Sequence, residues 1–505
     1  MKLFRSDQIK QIDELTIKEE PVSSIDLMER ASSEVVKWFI RKFDRSCRIF
    51  VFAGPGNNGG DGLAIARLLE FNRFEVFIIY LDFTDKTSQD FRKNLERIKT
   101  ETKINLLYLT SKGQFPLISD RDIIIDAIFG TGLSRYADGL AAEIIGLINQ
   151  ERAVKISIDI PSGMFGEDNS GNDYEKIVAA DYTLSFQFPK ISFMFAENSR
   201  QIGELVVLPI GLSTKAIRNV ISPYVFLEKT EVSSILKKRN KFDHKGTFGH
   251  GLLVSGSIGK MGAAVLGTTA ALRSGIGLIT THVPLCGLAL LQSAVPEGMG
   301  TADKHETFIT KIGSTVSFNA VGVGPGIGTN PETHEALFDL IKECKKPMVI
   351  DADGLNILSS NKSWLSLIHR DTILTPHPKE FERLAGKSEN GYIRLMNQIE
   401  FAQNYGCIVI LKGANTSIAT PEGRVFFNTT GNPGMAKGGS GDTLTGIILS
   451  LLAQGYLPEQ AAILGVYIHG LAGDIAVKEL SYESVLASDI INCLAMAFTK
   501  LKEPV

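Results

Sequence analysis

The chain has few cysteines and no excess of positive charge, and each scarcity excludes a class of protein. Its 505 residues include 5 cysteines, which are scattered without any CxxC pair. A secreted disulfide framework or a tetrahedral zinc site needs clustered cysteines or histidines, so the sequence predicts neither. The 53 basic and 56 acidic residues leave a net charge of −3, which lacks the basic excess of a nucleic-acid binder.

Long hydrophobic runs are also missing. Apolar stretches such as Ile447–Ala453 are far too short to span a bilayer. The first twenty residues mix charged and apolar side chains and lack the continuous apolar region of a secretory signal. We therefore expect a cytoplasmic protein that binds neither membranes nor nucleic acid.

What the sequence does contain is an alternation of short β-branched runs with helical patterns, which is typical of α/β folds with parallel sheets. Two such series are separated by a stretch near residues 211–241, and we expect one domain over residues 1–215 and a second over 225–505. A helical pattern covers Ser6 to Trp38. The predicted strands are Arg48–Ala53, Glu75–Leu81, Asp122–Ala127, Lys155–Ile160, Tyr182–Phe186 and Leu205–Leu208, then Tyr224–Leu227, Gly251–Ser255, Ala320–Val323, Met348–Ile350, Thr372–Leu374, Ile408–Leu411 and Val425–Phe427.

Three predicted strands of the first half end in glycine-rich or acidic loops. The first loop, GPGNNGGDG at residues 54–62, has five glycines that let the backbone approach a ligand, and the following helix aims free N–H groups at an anion. The other two are DAIFGTG from Asp126 and IDIPSG from Ile158. A tight turn or a helix cap explains each loop alone. Because the carboxyl ends of parallel strands share one edge of a sheet, the three together favour a ligand site.

The strongest chemical pattern of the second half is GNPGMAKGGSGD, which leads from Gly431 to Asp442 and into an apolar helix. Successive backbone N–H groups at a helix start form an anion hole that suits a transferring phosphoryl group. We expect the helix dipole to lower the pKa of Asp442 and keep it ionised. An ionised carboxylate there can accept a proton from a hydroxyl that attacks phosphorus. A capped helix after a flexible loop is the simpler alternative.

Further loops follow the neighbouring predicted strands of this half. They are GVGPG at 322–326, the triplet Asp351-Ala352-Asp353, the segment TPHPKE at 375–380, and Lys412 to Thr416. His377 lies between two prolines, so its backbone is held extended, as suits a residue that points into a cleft. A satisfied turn histidine is the alternative.

The first-half motifs GPGNNGGDG, DAIFGTG, DIPSG and FPK resemble the N-terminal half of the YjeF family, the NAD(P)HX epimerases. The resemblance implies a Rossmann-like domain that epimerises NADHX and NADPHX at the hydroxyl-bearing C6 of the hydrated nicotinamide ring. It also implies K+ ligands at Asn58, Asp126 and Ser162, and an acid–base role for Asp159. Lys190 is a further candidate, with a surface lysine as the alternative. The residues that the resemblance assigns to substrate binding are Gly54, Pro55, Gly56, Asn57, Asn58, Gly130, Thr131, Gly132, Leu133, Ser134, Arg135, Tyr136 and Asp159.

The second-half motifs FDHKGTFGHGLLVSGS, GVGPGIG, DADGLN, LTPHPKE, LKGANT and GNPGMAKGGSGDTLTG resemble the ribokinase-like superfamily. The closer resemblance is to the ADP/ATP-dependent NAD(P)HX dehydratase that forms the C-terminal half of YjeF proteins. It implies catalysis by Asp442. The implied nucleotide-binding residues are Lys412, Gly413, Ala414, Asn415, Thr416 and Gly441, and the implied coenzyme-binding residues are Ala263, Gly326, His377 and Asp442. We add the inference that Asp351, Asp353 and Glu380 help to hold Mg2+ with the nucleotide.

Two residues depart from the usual dehydratase pattern, Lys437 beside the anion loop and Thr443 after Asp442, and they leave the nucleotide preference open.

Phosphorylation of the ring hydroxyl would create a good leaving group, and loss of phosphate would restore NADH or NADPH from the S form. The first domain would convert the R form. The alternative is a small-molecule hydroxyl kinase with a non-catalytic N-terminal binding domain. We also expect a homo-oligomer, because the N-terminal helix is predicted to be exposed.

Overall fold

The computed structural model describes residues 1–20 and 22–503, and the chain forms two compact units. The N-terminal unit comprises Lys2–Ser222 with the short segment Asn390–Tyr392. The C-terminal unit comprises Met1, Pro223–Glu389 and the residues from Ile393 onward.

The first unit alternates strands and helices. Its strands are β1 (Lys2–Leu3), β2 (Arg48–Ala53), β3 (Glu75–Leu81), β4 (Asn105–Leu109), β5 (Ile123–Ala127), β6 (Val154–Ile158), β7 (Tyr182–Phe186) and β8 (Glu204–Leu208). Its helices are α1 (Ser6–Glu19), α2 (Ser24–Lys42), α3 (Asn57–Phe71), α4 (Gln89–Glu101), α5 (Gly139–Gln150), α6 (Ser199–Ile202) and α7 (Thr214–Asn219).

A parallel sheet with strand order β4-β3-β2-β5-β6-β7-β8 forms the centre of this unit. Its central strands read as continuous apolar runs because helices cover both faces. Helices α2, α3 and α4 pack on one face and α5 on the other. The chain runs from β2 toward β4 and then returns to β5 on the opposite side of β2. The loops after β2 and β5 therefore enclose a topological switch point, where ligands of such sheets bind.

The second unit is also α/β. Its strands are β9 (Tyr224–Phe226), β10 (His250–Val254), β11 (Leu278–Val283), β12 (Met299–Ala302), β13 (Ala320–Val323), β14 (Met348–Ile350), β15 (Thr372–Leu374), β16 (Ile408–Leu411), β17 (Ser417–Ala419) and β18 (Val425–Phe427). Its helices are α8 (Lys229–Ser233), α9 (Met261–Arg273), α10 (Leu288–Ala294), α11 (Pro331–Glu343), α12 (Asp353–Ser360), α13 (Pro378–Ala385), α14 (Gly391–Tyr405), α15 (Ser440–Ala453), α16 (Pro458–Ala476) and α17 (Ala487–Lys502).

The sheet of this unit has the order β9-β18-β17-β16-β15-β14-β13-β10-β11-β12, with β17 antiparallel to both of its neighbours. Its switch point lies between β10 and β13, because the chain leaves β10 toward β12 and returns to β13 on the other side. Helices α15 and α16 are apolar on nearly all sides and lie inside the main core of the unit.

The α/β fold with parallel sheets is confirmed, and the differences from the predicted elements have local causes. The single opening helix is wrong, since α1 ends at Glu19 and Ser23 begins α2 by accepting a hydrogen bond from the Asp26 amide. Strand β6 ends before Asp159, whose φ of 67° takes the backbone out of the extended region. The sequence did not predict β4, β11, β12 and β17. Of these, β4 and β12 are edge strands with partly exposed residues, so their apolar pattern is weak.

No helix among residues 1–20 and 22–503 is both long enough and apolar enough to span a bilayer.

Two candidate active sites

A cavity of about 650 Å³ lies at the switch point of the N-terminal unit. Nine of the residues assigned to the epimerase substrate line it, namely Pro55, Gly56, Asn57, Asn58, Gly130, Thr131, Gly132, Leu133 and Asp159. The segments that follow β2, β5 and β6 therefore converge on one cavity, as the sequence predicts. The volume is that of a typical small-molecule pocket.

Four other assigned residues lie outside the lining. Ser134, Arg135 and Tyr136 are exposed, and the Tyr136 ring contacts that of Phe165 at 5.6 Å between centroids. Gly54 supports the loop instead, because a Cβ at this position would lie 2.1 Å from the Ile128 carbonyl oxygen. Only glycine permits that approach of two backbones.

Asp159 is held by Lys190, whose side chain is buried. The Lys190 Nζ donates to Asp159 Oδ1 at 2.7 Å, to Ser185 Oγ at 3.0 Å and to the Phe188 carbonyl at 3.2 Å. Lys190 is only 1% exposed, so the surface-lysine alternative is wrong. This ion pair fixes the position of the Asp159 carboxylate.

The three residues assigned to K+ lie together under the cavity. Asp126 and Ser162 are fully buried, and Asp126 Oδ2 accepts from the Ser162 amide at 2.9 Å and from Ser157 Oγ at 2.7 Å. Burial raises the pKa of Asp126, while the hydrogen bonds from Ser162 and Ser157 oppose that rise. Within the described part of the chain, no basic side chain pairs with Asp126.

Asn58 adds an amide oxygen to the same place. Its Nδ2 donates to the Phe129 carbonyl at 2.8 Å, while its Oδ1 is buried and has no hydrogen-bond partner among the described residues. A buried oxygen without a donor and a buried carboxylate without a cation are the ligands that a hard monovalent ion would satisfy. The residues present therefore fit K+.

Sequence reasoning missed two carboxyl groups that also line the cavity, Asp13 on α1 and Asp61 on α3. Burial and the nearby Asp159 raise the pKa of Asp13 to about 7. Burial, with Asp159 and Asp13, raises the pKa of Asp61 well above its usual range. Asp61 lies inside the GGDG sequence and could have been noticed there, whereas nothing in the sequence around Asp13 marks it.

The candidate site of the C-terminal unit is built around the first turn of α15. Gly439 precedes the helix with φ 89°, and a Cβ there would lie 2.6 Å from Leu266 Cδ1, so glycine is required. Asp442 follows in the first turn. Burial, and then the negative charge of Asp351, raise its pKa to about 6, and Lys412 only partly opposes them. The predicted lowering of this pKa is wrong, because desolvation and a like charge outweigh the helix dipole.

The buried Asp351 and the half-buried Lys412 form an ion pair beside this turn. Lys412 Nζ donates to Asp351 Oδ1 at 2.9 Å, and Thr445 Oγ1 donates to Asp351 Oδ2 at 2.8 Å. Burial alone would raise the pKa of Asp351, but the Lys412 ammonium and these hydrogen bonds hold it below its usual range. A Cβ on Gly441 would lie 3.4 Å from Lys412 Nζ. The structure thus brings together Lys412, Gly441 and Asp442.

The other residues assigned to the nucleotide form a short loop after β16. Thr416 Oγ1 accepts from the Gly413 amide at 3.1 Å and donates to the Gly413 carbonyl at 2.9 Å, which closes the loop. Gly413 and Ala414 are exposed at its tip, and Asn415 is half-buried.

The residues assigned to the coenzyme besides Asp442 are Ala263 in the first turn of α9, Gly326 in the loop after β13 and His377 in the loop after β15. Gly326 has φ 67°, and a Cβ there would lie 3.2 Å from the Cβ of Ala263. His377 begins α13, and its Nδ1 accepts from the amides of Lys379 at 3.2 Å and Glu380 at 3.4 Å. Burial is the main cause that lowers the pKa of His377. Its Nδ1 is therefore committed to the helix start, which fixes the ring.

The three carboxylates that we expected near Mg2+ do not form a ready-made metal site. Asp353 Oδ2 accepts from Lys260 Nζ at 3.1 Å and from the Gly328 amide at 2.9 Å, and Glu380 accepts from the His377 amide. In the portion of the chain that the structure describes, no group of three or more His, Cys, Asp or Glu side chains is arranged to hold a metal. Mg2+ that arrives with a nucleotide needs few protein ligands.

The two residues that depart from the dehydratase pattern both have local roles. Lys437 donates from its Nζ to the Glu483 carbonyl. Thr443 is fully buried, and its Oγ1 donates to the Gly439 carbonyl at 3.0 Å. Neither side chain removes an amide from the first turn of α15.

Comparison with known proteins finds a family match in each half of the chain. A family model described as YjeF-related protein N-terminus matches residues 24–192, and one described as NAD(P)H-hydrate dehydratase matches residues 251–495. Among solved structures, ADP/ATP-dependent NAD(P)H-hydrate dehydratase from Bacillus subtilis, co-crystallized with ATP/Mg2+, is 29% identical with a TM-score of 0.47. The match covers 55% of this chain and 98% of that chain.

Similar proteins also match along the full length. The bifunctional NAD(P)H-hydrate repair enzyme Nnr of Moorella thermoacetica is 35% identical over 521 residues, which cover 100% of this chain and 98% of the relative. The enzyme of the same name from Thermofilum pendens is 34% identical over 515 residues, with 100% and 97% covered. The chain therefore belongs to the family of bifunctional NAD(P)H-hydrate repair enzymes, with an epimerase domain followed by a dehydratase domain.

Proposed function

We propose that the two sites repair hydrated nicotinamide coenzymes in succession, through the residues that the geometry gathers at each switch point. The N-terminal cavity interconverts the R and S forms of NADHX and NADPHX. The C-terminal site dehydrates the S form with ADP or ATP. The observation that carries this division is that each site holds its own carboxylate near a lysine, Asp159 with the buried Lys190 and Asp442 with the half-buried Lys412.

In the N-terminal cavity, Asp159 acts as the base. Lys190 donates a hydrogen bond to its carboxylate and fixes its position just after the end of β6. The hydroxyl on C6 of the hydrated ring gives its proton to Asp159, and the backbone amides of the 54–58 and 130–133 loops bind the coenzyme phosphates. Asn57 and Thr131 line the same cavity and orient the ring and ribose.

Asn58, Asp126 and Ser162 would hold K+ in this unit. The ion would supply a fixed positive charge that balances the carboxylate of Asp126. Asn58 lies in the first turn of α3, Asp126 near the end of β5 and Ser162 in the loop after β6.

In the C-terminal site, Asp442 acts as the base for phosphoryl transfer. The amides of the first turn of α15 hold the transferring phosphoryl group, and Lys412 lies beside Gly441 to contact the nucleotide. The ring hydroxyl gives its proton to Asp442 as its oxygen attacks phosphorus. Loss of phosphate from C6 and of a proton from C5 then restores the dihydropyridine. Mg2+ bound with the nucleotide would shield the charge of the phosphates.

The role of Asp442 is tested by Asp442→Asn in the full chain. This change removes the proton acceptor and keeps the shape, so dehydration should fall by about 10²–10⁴-fold. Nucleotide binding, measured by calorimetry, should be retained, because Lys412 and the α15 amides remain. Turnover close to wild type would refute the role.

A further inference from the structure

Helix α1 closes one side of the epimerase cavity with a stripe of four residues. Ser6, Ile9, Lys10 and Asp13 all line the cavity. Their spacing of three and four residues places them on one face of the helix. The family model begins at residue 24, so this wall of the cavity lies outside the segment that the model matches.

The position of α1 is fixed at both ends. At its start, the amide and hydroxyl of Ser6 donate to Glu167 Oε1 at 2.6 and 2.9 Å. At its end, Thr16 Oγ1 accepts from the Ser213 amide at 3.1 Å, and Ser213 Oγ donates to Glu19 Oε2 at 2.7 Å. Asp13 is therefore held rigidly at the cavity wall.

The carboxyl group of Asp13 is not used by the fold. Across residues 1–20 and 22–503 the structure shows no hydrogen bond or ion pair to its side chain. Asp159, Lys190 and the adjacent Glu14 act on its charge, Lys10, Asp61 and Lys86 line the same cavity, and Asp61 also interacts with Asp13. A half-buried carboxyl group without a protein partner inside a substrate cavity is available to the substrate.

We propose that Asp13 is the second acid–base group of the epimerase, which works together with Asp159 on the hydrated ring. The proposal rests on the proposed function of the N-terminal cavity and deepens it. Epimerisation at a carbon that carries both a hydroxyl and a ring nitrogen needs one group to take a proton and another to give one.

The balanced step is a reversible ring opening. Asp159 takes the hydroxyl proton, the C6–O bond becomes a carbonyl, and the C6–N1 bond breaks with its electron pair moving to N1. Asp13 gives its proton to N1. After rotation about C5–C6, Asp13 takes the proton back, N1 attacks the other face of the carbonyl, and Asp159 returns its proton to the oxygen. No oxidant or reductant is needed.

Asp13 suits this role better than Asp61. A group that gives and recovers a proton in every cycle needs a pKa near the working pH, and that of Asp13 is about 7. Burial, with the charges of Asp159 and Asp13, raises the pKa of Asp61 well above its usual range, which suits such an exchange less well.

The test compares Asp13→Asn with Glu14→Gln, an exposed acid one position further along α1. A single purified epimer of NADHX is incubated with the full chain without nucleotide, and appearance of the other epimer is followed by chromatography. We expect Asp13→Asn to lower interconversion by about 10²–10⁴-fold, and Glu14→Gln to remain close to wild type. Asp13→Glu should recover part of the rate.

Two further readouts separate this proposal from a structural effect and from failure of the proposed function. The wild-type rate should fall as the pH rises through about 7, because Asp13 must be protonated to donate. That alkaline limb should vanish in Asp13→Asn, while ADP-dependent dehydration of the S form stays intact. Interconversion at wild-type speed in Asp13→Asn, with Asp159→Asn inactive, overturns the proposal alone. Absence of interconversion in the wild type overturns the proposed function.

Discussion

At the scale of single residues, the environment of Asp442 sets the pH dependence of dehydration. Burial, with Asp351, raises its pKa to about 6, and a base must be deprotonated before it can accept a proton. The rate should therefore rise as the pH increases through about 6 and level off above it. The measurement is kcat/KM for the S form, with ADP saturating, across about pH 5–8. A rate that is constant over this range would contradict the assignment.

Lys190 holds Asp159 through an ion pair, and removal of the lysine should lower the free energy of unfolding. Replacement by Met keeps the length of the side chain but leaves the Asp159 carboxylate without its cation, which costs about 3–5 kcal/mol for a buried pair. The matched control is Lys176→Met, because Lys176 pairs with Asp173 at an exposed site where a pair contributes at most about 1 kcal/mol. Urea denaturation of the full chain should show a lower midpoint for Lys190→Met. Equal midpoints for the two variants would contradict the account.

At the scale of elements, the glycines of the 54–62 loop are not equivalent. A Cβ on Gly59 would lie 1.7 Å from the Gly54 carbonyl oxygen, whereas a Cβ on Gly56 would meet nothing within 4 Å. Gly59→Ala must therefore displace backbone and should destabilise by about 1–3 kcal/mol. Gly56→Ala should leave the melting temperature of the full chain close to wild type, and a similar loss in both variants would refute this reading.

K+ should stabilise the segments that carry Asn58, Asp126 and Ser162 against unfolding. An ion that binds only the folded state raises its melting temperature, so the wild type should melt higher in KCl than in NaCl of equal ionic strength. Asn58→Ala should shrink that difference, while Asn57→Ala, at the exposed neighbouring position, should keep it. The same melting temperature in both salts for the wild type would argue against the site.

The sequence predicts the elements that carry motifs better than those that do not. The loops after β2, β5, β13 and β14 were found because glycines and acids interrupt apolar runs there. Strands β4 and β12 escaped because they lie at sheet edges, where fewer residues are buried. The direction of the Asp442 pKa shift and the presence of Asp13 in the cavity depend on burial and on neighbours distant in sequence, which no local pattern records.

At the scale of the whole molecule, family membership decides against a small-molecule kinase with a non-catalytic first domain. The expected homo-oligomer stays a prediction, and its stated reason is weakened, because Ile9, Ile12 and Thr16 of α1 are buried within the N-terminal unit. Each unit has its own core and its own site. The two activities should therefore be separable by single substitutions.

The central claim is that the N-terminal site epimerises the coenzyme and the C-terminal site dehydrates it. Its most direct test is recovery of NADH from an equilibrated mixture of R and S NADHX, with ADP and Mg2+ in excess. The wild type should convert the whole mixture, as read from NADH absorbance. Asp159→Asn should convert the S fraction at the wild-type rate and then proceed only as fast as the epimers interconvert spontaneously. Complete conversion of the mixture by Asp159→Asn at the wild-type rate would contradict the account. Slower conversion of the S fraction by this variant would contradict it as well.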